Sequence, residues 1–295
     1  MNAELTPDLP DRHVFDVSLD LSPAGSGPAD TSRYSGEALA AFENAIGPFG
    51  GWSAALLARA ALQAARDAGA EGLELISLTT DFAAGVPTGP VMVTAVCDRA
   101  GRNTQFWSVA IRDPLSGSVL VKASAILSRR RETTDWVESR MPDIPAPELC
   151  PRRDIPRNWA DHIDLRHATL ERFTDTGSTH STAWARLDAG RPLDAESLVC
   201  LADTPMSRIF LVLSKPVVMS TVSMTVYLHA TEEDYAATAD DFVLLETHGA
   251  RGGRGFYDQH ARVWSRDGRL LATTQQSVWF NATDRLEDGH DEDEA

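Results

Sequence analysis

Two clusters of arginines are the side chains best suited to bind an anion. Arg129, Arg130 and Arg131 are consecutive, and Arg251 and Arg254 flank a pair of glycines. A guanidinium group donates hydrogen bonds in a fixed fork that fits phosphate oxygens. Both clusters are therefore candidate phosphate contacts in an acidic chain. The alternative is that the arginines are solvated strand ends and that the glycines form a hairpin or bulge.

Several familiar catalytic motifs do not occur in the sequence. It contains no Gly-x-Ser-x-Gly elbow, which argues against a serine hydrolase of the α/β class, and no His-Glu-x-x-His motif. The three cysteines, Cys97, Cys150 and Cys200, are too widely spaced for a Cys-x-x-Cys metal site. Cys97 and Cys200 fit small core positions, whereas Arg152 and Arg153 would lower the pKa of the Cys150 thiol. We expect no resident metal ion.

The charge of the chain limits the partners that it can bind. Among the 295 residues, 43 acidic residues outnumber 27 basic ones, and the net charge is −16. Because affinity for nucleic acid comes from clustered cations, we expect no general binding of nucleic acid. No apolar run approaches the roughly 18 residues of a membrane helix, and the first residues lack the pattern of a secretory signal. We expect a soluble, cytoplasmic protein that does not bind membranes.

The chain divides into two units of similar pattern. We predict an N-terminal domain at 13–135, a proline-rich connector at 136–159, a C-terminal domain at 160–285 and an acidic, disordered tail at 286–295. Five prolines between 141 and 156 exclude a helix in the connector. The tail combines acidic side chains with an absence of Lys and Arg, which is typical of a solvated segment.

Each unit combines one helix with a run of strands. Residues 50–69 predict an Ala-rich helix that Gly69 ends, and residues 193–210 predict a second helix with Asp194 as its N-cap. Alternating or apolar runs predict the strands LELISLTTDFA, PVMVTAVCDRAG, NTQFWSVAIRD and SVLVKASAILSRR, then TLERFTDTG, STAWARLD, STVSMTVYLHA, FVLLETHGA, GFYDQHARVWSRDG and RLLATTQQSVWFN. A helix wrapped by an antiparallel sheet, occurring twice, predicts an α+β fold.

These features together resemble the acyl-CoA thioesterases of double hotdog fold. The resemblance rests on Gly47-Pro48-Phe49-Gly50-Gly51 at the start of the first helix and on DGRLLATTQQ, which runs from Asp267 to Gln276. STAWARLD and Asp203 in LVCLADTP are also similar to that family, and the resemblance covers roughly residues 14–281. It implies two tandem hotdog units, each an antiparallel sheet around a central helix, with the acyl-CoA site at their interface.

The resemblance also implies a reaction, the hydrolysis of an acyl thioester to a free acid and CoA by attack of water. CoA is then part of the substrate, no separate cofactor is expected, and the two arginine clusters become candidate contacts for its phosphates. Negative charge develops on the thioester oxygen during the attack. The backbone N–H groups of Gly50 and Gly51 are suited to stabilise that charge, because a helix N-terminus has unpaired donors. Alternatively, the two glycines only shape a tight turn.

In this family a carboxylate, a hydroxyl residue and a glutamine of the second unit orient the water. Gln276 matches the glutamine, whereas the corresponding position of the first unit is Ala125. Alignment of TVSMTVYLHA places Ser223 at the carboxylate position, and Thr247 lies three residues before the position aligned with the hydroxyl residue. A serine cannot supply a negative charge, so the sequence predicts an incomplete triad. His248 is a candidate substitute, and its alternative interpretation is a hydrogen-bonded loop histidine.

Further substitutes for the missing carboxylate are Glu246, Asp258 and His260. The incomplete triad leaves open a different class of function, namely non-catalytic binding of acyl-CoA or of an acyl carrier. Hotdog dehydratases or hydratases are a third possibility, although the hydratase-type Asp-x-Asn-Pro-x-His string does not occur. The resemblance further implies a role in lipid metabolism and a homodimer that pairs sheet edges.

Overall fold

The computed structural model describes the chain with four internal gaps. The described residues are 12–26, 31–169, 178–188, 190–213 and 217–282. The predicted acidic tail at 286–295 and most of the predicted strand at 169–177 lie outside the described residues. Among the described helices, none combines the length and the apolar character needed to span a bilayer.

Five helices and fifteen strands make up the described regular structure, besides three short 3-10 turns. The helices are α1 Val14–Ser18, α2 Gly50–Asp67, α3 Ala195–Leu201, α4 Ile209–Val212 and α5 Glu232–Thr238. The strands of the first half are β1 Ser22–Ser26, β2 Thr31–Ala38, β3 Glu43–Asn44, β4 Gly47–Pro48, β5 Glu74–Phe82, β6 Gly89–Ala100, β7 Thr104–Arg112 and β8 Val119–Ser128. Those of the second half are β9 Ile163–His167, β10 Ser181–Leu187, β11 Val218–Leu228, β12 Val243–His248, β13 Gly252–Gly253, β14 Phe256–Ser265 and β15 Leu270–Asn281.

One antiparallel sheet runs through both halves of the molecule. Its strands lie in the order β1-β2-β6-β7-β8-β5-β11-β15-β14-β12-β10-β9, and β13 pairs with β14. The order β2-β6-β7-β8-β5 of the first half is repeated in the second half as β10-β12-β14-β15-β11. The halves meet where β5 pairs with β11, and Thr80 there lies opposite Met224. The predicted α+β architecture of two similar units is confirmed.

The central helix of the first half is α2, and its sequence explains its length. Alanine and leucine dominate its 18 residues, and both favour helix. The helix ends as predicted at Gly69, whose φ of 79° suits glycine, and Ala70 N–H closes the end by donating to the carbonyl of Ala65 at 2.9 Å. Thirteen of the 18 residues are buried, because small side chains let the sheet approach the helix closely.

The predicted helix at 193–210 was wrong in its length. A capping box begins α3, where Asp194 accepts from the Ser197 N–H at 2.8 Å and Ser197 Oγ accepts from the Asp194 N–H at 2.8 Å. The helix stops at Leu201, and α4 begins only at Ile209. Pro205 lies in the segment between them, and a proline both lacks an N–H donor and disfavours helical backbone before it. The break leaves Asp203 in a turn after α3.

The two faces of the sheet have different surroundings. We call the face that packs against α2 and α3 the inner face and the opposite one the outer face. Along β11, Met224 and Val226 are buried on the inner face, whereas Tyr227 is exposed on the outer face. Val222 interrupts this alternation, because Thr221 pairs with Val278 while Ser223 pairs with the next residue of β15. This β-bulge changes which side chains of β11 face inward.

Residues of the predicted connector run across the end of the first half. Residues 129–146 contain neither helix nor strand. Further on, the Trp159 ring stacks on Phe49 with centroids 4.4 Å apart and an interplanar angle of 11°. The connector therefore packs beside the first turn of α2.

Candidate active site

Gln276 lies on the inner face in the middle of β15, and its side chain is 4% exposed. Its Nε2 donates to Asp203 Oδ1 at 2.9 Å and also contacts Met224 Sδ at 3.4 Å. Its Oε1 accepts from Gln259 Nε2 at 3.2 Å. Gln275 is exposed on the outer face, as alternation along a strand requires. The buried amide is thus hydrogen-bonded through both of its polar atoms.

Asp203 supplies a carboxylate to this site. It follows α3, retains partial solvent access and accepts hydrogen bonds from Gln276 and from the backbone N–H of Gly51. Burial of the carboxylate raises the pKa of Asp203 to about 7, and the two hydrogen bonds only partly oppose this effect. A carboxyl group with that pKa can exchange a proton with water near neutral pH.

Gly50 and Gly51 form the first turn of α2, directly against Asp203. A Cβ atom on Gly50 would lie 2.8 Å from Asp203 Oδ2, and one on Gly51 would overlap the carbonyl oxygen of Cys200. Close packing between α2 and the turn after α3 therefore requires glycine at both positions. The Gly51 N–H is engaged by Asp203, whereas the Gly50 N–H lies at the first helical position, where no intrahelical acceptor exists. The two predicted N–H donors thus have different surroundings.

Ser223 does not share a face with Gln276. It pairs with Ser277 and Asp81, whose positions belong to the outer face. The bulge at Val222 brings Thr221 to the inner face instead, opposite Val278, which lies two residues from Gln276 along β15. Ser223 itself lies after the bulge and faces outward by ordinary alternation with the inward residue Met224, so the alignment of TVSMTVYLHA placed at the carboxylate position a residue that points away from Gln276. Thr221 is the hydroxyl residue of β11 that faces the site.

Thr247 and His248 face opposite sides of the sheet. Thr247 is buried on the inner face, and its carbonyl oxygen accepts from Arg208 Nη1 at 3.4 Å. His248 lies on the outer face and stacks on His260 with ring centroids 5.3 Å apart. Burial and the neighbouring His260 lower the pKa of His248. The sheet separates His248 from Asp203 and Gln276, so it cannot take the role of their base.

The other substitutes considered for the carboxylate also lie away from Gln276. Glu246 contacts Trp264 Nε1 at 3.3 Å, and Asp258 pairs with His260 at 2.8 Å. Thr247 of β12 and Gln259 of β14 face inward. Their neighbours along these strands are Glu246, Asp258 and His260, which therefore face outward. With Asp203 present, none of them is needed as a carboxylate.

Arg208 is buried beside these residues, with 2% of its surface exposed. Its Nε donates to Gln259 Oε1 at 3.2 Å and to the Met206 carbonyl at 3.0 Å. Its Nη1 donates to the Thr179 carbonyl at 2.6 Å and to Ser181 Oγ at 2.8 Å. Burial lowers the pKa of Arg208 to about 10, which leaves the guanidinium charged at neutral pH.

The two arginine clusters lie near opposite ends of strand β15. Arg130 is held by Glu74 at 3.0 Å and by the Leu228 carbonyl at 2.8 Å, near the end of β11. Arg251 and Arg254 lie on the exposed hairpin of β13, near the last residue of β15. Twelve residues of β15 span roughly 40 Å at 3.4 Å per residue. One phosphate group therefore cannot contact both clusters.

Arg129 and Cys150 complete the placement of the predicted groups. The Arg129 backbone N–H donates to the Asn103 carbonyl at 2.9 Å, beyond the end of β8. Cys150 is buried, and burial raises the pKa of its thiol, with Arg166 as the opposing charge. The expected lowering by its sequence neighbours was therefore wrong. Within the described residues, no group of three or more His, Cys, Asp or Glu side chains could hold a metal ion.

Two recesses lie away from Asp203 and Gln276. One is lined by residues of β10 and α3, including Leu187 and Leu201, and by Arg191 from the segment between them. The other, of about 300 Å³, is lined by connector residues, including Arg152 and Asp161. The candidate site instead lies where the first turn of α2 and the turn at Asp203 meet the inner face of β15.

Sequence reasoning missed four of the residues gathered here. Asp203 was noticed in LVCLADTP as a mark of family resemblance, but it was not assigned to the site. Its position just after a capped helix was an available signal. Arg208 gave a weaker signal, as a charged residue directly before the apolar run IFLVL, and Gln259 gave none, because it lies between Asp258 and His260. The inward position of Thr221 had none, because it depends on the bulge.

Two family descriptions match the chain, one for each half. Residues 41–128 match the acyl-CoA thioesterase N-terminal domain, and residues 138–280 match the acyl-CoA thioesterase C-terminal domain. No curated protein sequence matches the chain significantly.

Solved structures share the architecture over most of the chain. A protein of unknown function with a hot dog fold from Alicyclobacillus acidocaldarius is 32% identical, with a TM-score of 0.82 and coverage of 92% of this chain and 99% of that chain. The tesB protein of Mycobacterium avium subsp. paratuberculosis is 19% identical, with a TM-score of 0.72 and coverage of 91% and 98%. The acyl-CoA thioesterase II TesB2 of Mycobacterium marinum is 17% identical, with a TM-score of 0.68 and coverage of 90% and 98%.

Proposed function

The chain belongs to the acyl-CoA thioesterase family and has the double hotdog fold, and we propose that it hydrolyses an acyl-CoA thioester to a free acid and CoA. The observation that supports this most strongly is the buried pair of Asp203 and Gln276 at the first turn of α2. Their Nε2–Oδ1 distance is 2.9 Å, and the pKa of Asp203 is raised to about 7. This is the property required of a general base that works near neutral pH.

In the proposed reaction, Asp203 removes a proton from a water molecule that Gln276 and Thr221 orient. The water oxygen forms a bond to the thioester carbon, and the carbonyl oxygen becomes an oxyanion. The C–S bond then breaks as the carbonyl re-forms. The CoA thiolate leaves and takes up a proton, so one water molecule gives one carboxylic acid and one thiol.

The first turn of α2 acts in this reaction through two backbone N–H donors. In this proposal the N–H of Gly50, a donor without an intrahelical acceptor at the positive end of the helix dipole, stabilises the oxyanion. The N–H of Gly51 holds the base by donating to Asp203. Each of the two glycine N–H groups therefore has its own role.

A small apolar cluster beside the site suits the acyl group of the substrate. Ile209, Tyr257 and Val278 are its buried members, and Val278 lies opposite Thr221. Half-buried apolar side chains from α4, β11 and β15 surround them. Burial of apolar surface there would stabilise a bound acyl chain by roughly 25 cal/mol per Å².

The case for a purely binding function rested on a missing carboxylate. Asp203 provides a carboxylate in contact with Gln276, which removes that motive. A dehydratase would need a histidine beside a carboxylate, and His248 and His260 lie on the outer face. Hydrolysis is therefore the reaction that these side chains favour.

Thiol release from a panel of short, long and aromatic acyl-CoA esters tests the proposal. Asp203→Asn should lower kcat by about 1,000-fold, within the range for removal of a general base. Asp81→Asn is the matched control, because Asp81 is a half-exposed carboxylate on the outer face of β5. No thiol release from any ester, with binding still measurable, would overturn hydrolysis in favour of binding.

A further inference from the structure

Four side chains form one continuous line of hydrogen bonds across the second unit. Arg208 donates to Gln259, Gln259 donates to Gln276 and Gln276 donates to Asp203, with distances of 3.2, 3.2 and 2.9 Å. A guanidinium group begins the line and a carboxyl group ends it. Gln259 and Arg208 have no part in the reaction as described above.

The line fixes which atom each amide presents to its neighbour. A guanidinium has only donors, so Gln259 must direct Oε1 at Arg208. Its Nε2 then points at Gln276, which must respond with Oε1. The remaining Nε2 of Gln276 faces Asp203, where only an acceptor can satisfy it. Each orientation follows from the one before it, and the first is set by a permanent charge.

We propose that Arg208 and Gln259 are positioning residues, which orient the Gln276 amide and thereby keep Asp203 a hydrogen-bond acceptor, ready to act as a base. This role rests on the proposed hydrolysis. A protonated Asp203 could in principle donate to a rotated Gln276, whose Oε1 would then be free. Gln259 prevents that rotation by occupying Oε1. Arg208 in turn prevents Gln259 from rotating.

Arg208 is buried and has no acidic partner in the part of the chain that the structure describes, which supports this role. Among the described residues, no carboxylate lies within ion-pair distance of its guanidinium, whose donors reach carbonyl oxygens, Ser181 and Gln259. A buried unpaired cation lowers stability unless neutral dipoles solvate it. The arrangement is costly as a purely structural device, and the amide of Gln259 is the dipole that connects this charge to the site.

The other titratable groups near Asp203 stay neutral over the working pH range. Burial raises the pKa of Tyr257 to about 12, and its hydroxyl is paired with Ser207. Burial also raises the pKa of Cys200 well above its ordinary value. Of these three groups, Asp203 is therefore the one that titrates near neutral pH. The line of hydrogen bonds sets the orientation of the Gln276 amide that faces it.

The decisive variant is Gln259→Leu, which removes the donor to Gln276 but keeps a similar side-chain volume. We expect kcat to fall about tenfold with KM unchanged. The acid limb of kcat should move to higher pH, because Asp203 loses a hydrogen bond that favours its ionised form. Gln105→Leu is the matched control, since Gln105 lies on β7, the strand equivalent to β14, and contacts Trp107 at 2.9 Å.

Two further variants separate positioning from packing. Gln259→Glu keeps an acceptor for Arg208 and removes only the donor, so it should lose activity at least as strongly as Gln259→Leu. Arg208→Lys keeps a cationic donor and should retain more activity than Arg208→Met, which also leaves several carbonyl groups unpaired. If Gln259→Glu matched the native enzyme in kcat and pH profile, positioning through this line would be refuted.

A measurement without turnover distinguishes failure of this proposal from failure of the proposed hydrolysis. The pKa of Asp203 can be followed by carbon-13 NMR of its carboxyl group in native protein and in Gln259→Leu. A higher pKa in the variant supports the line even if no ester is hydrolysed. An unchanged pKa overturns it even if the native protein is an active thioesterase.

Discussion

Equivalent positions of the two units have opposite chemistry. In the first unit, Ala125 on β8 lies between Leu78 and Trp107. In the second unit, Gln276 on β15 lies between Met224 and Gln259. The strand order and the register correspond, so the backbone offers the same place twice. Only the second unit lines that place with hydrogen-bonding groups.

The difference shows that the fold and the site have separate requirements. An antiparallel sheet around a helix needs an inward side chain that packs, and alanine is sufficient beneath the long helix α2. An amide at that position needs partners for both of its polar atoms, since a buried unpaired group costs about 1–3 kcal/mol. The second unit meets this need with Asp203 and Gln259. Its shorter helix α3 leaves room for the turn that carries Asp203.

An exchange of the two inward residues gives the sharpest test of this comparison. Gln276→Ala should lower kcat about 100-fold, the usual effect of losing one polar group that acts on the transition state. Adding Ala125→Gln to that variant should restore none of the loss, because Leu78 and Trp107 offer no partners. Gln275→Ala, on the outer face, serves as the control in the thiol-release assay. Recovery of activity in the double variant would show that the units are interchangeable.

The free energy of unfolding should record the cost of the buried carboxyl group. The folded pKa of Asp203, about 7, lies above the unfolded value of roughly 4. Between those values the folded state holds a proton that the unfolded state has lost, so this group's contribution falls as pH rises from 4 to 7. Relative to Asp203→Asn, the native protein should lose about 2 kcal/mol between pH 5 and 8. Urea titrations measure the free energies of unfolding. A difference between native protein and Asp203→Asn that is the same at pH 5 and pH 8 would contradict the burial of this carboxyl group.

Activity should depend on pH in the opposite sense to stability. The base must be ionised, so kcat/KM should fall about tenfold for each pH unit below the pKa of Asp203, near 7. His248→Gln should leave this profile unchanged, because His248 faces away from the site. A profile that followed His248 instead would mean that the outer face takes part in the reaction.

Substitutions in the two arginine clusters should have smaller effects, and the effect should differ between the clusters. Replacing Arg251 and Arg254 by alanine should raise KM for acyl-CoA roughly threefold to tenfold without changing kcat, since exposed phosphate contacts are screened by water and salt. Arg130→Ala should leave KM unchanged and reduce stability, because Arg130 links Glu74 to the carbonyl of Leu228 across the two halves. Steady-state kinetics and thermal unfolding of both variants measure the contrast.

Much of the fold was predictable because its signals are local. The helix at Gly50–Asp67 follows from alanine content and a C-terminal glycine, and most strands follow from alternation. The strands β1 and β2 were missed because Ser22–Ser26 and Thr31–Ala38 are rich in small and polar residues. Their pairing depends on contact with β6, which no local pattern reveals.

The candidate site was predictable only at residues that have a local sequence signal. Gln276 could be found by its distance from Asp267 and Gly268, and Gly50 by its place at a helix start. Asp203 required knowing that α3 stops at Leu201, and Thr221 required knowing the pairing of β11. Both depend on tertiary structure, because a turn and a bulge bring together residues far apart in sequence.

The bulge at Val222 adds one unpaired residue to β11. Alternation can be counted along β11 from the inward residue Met224. Residues before the bulge face the side opposite to the one that this count assigns, whereas residues after the bulge follow it. Deletion of this single codon would remove the unpaired residue, so Ser223 would follow Thr221 directly and Thr221 would still pair with Val278 on the inner face. The bulge is therefore a place where the strand can lose one residue without turning Thr221 or Met219 away from the inner face.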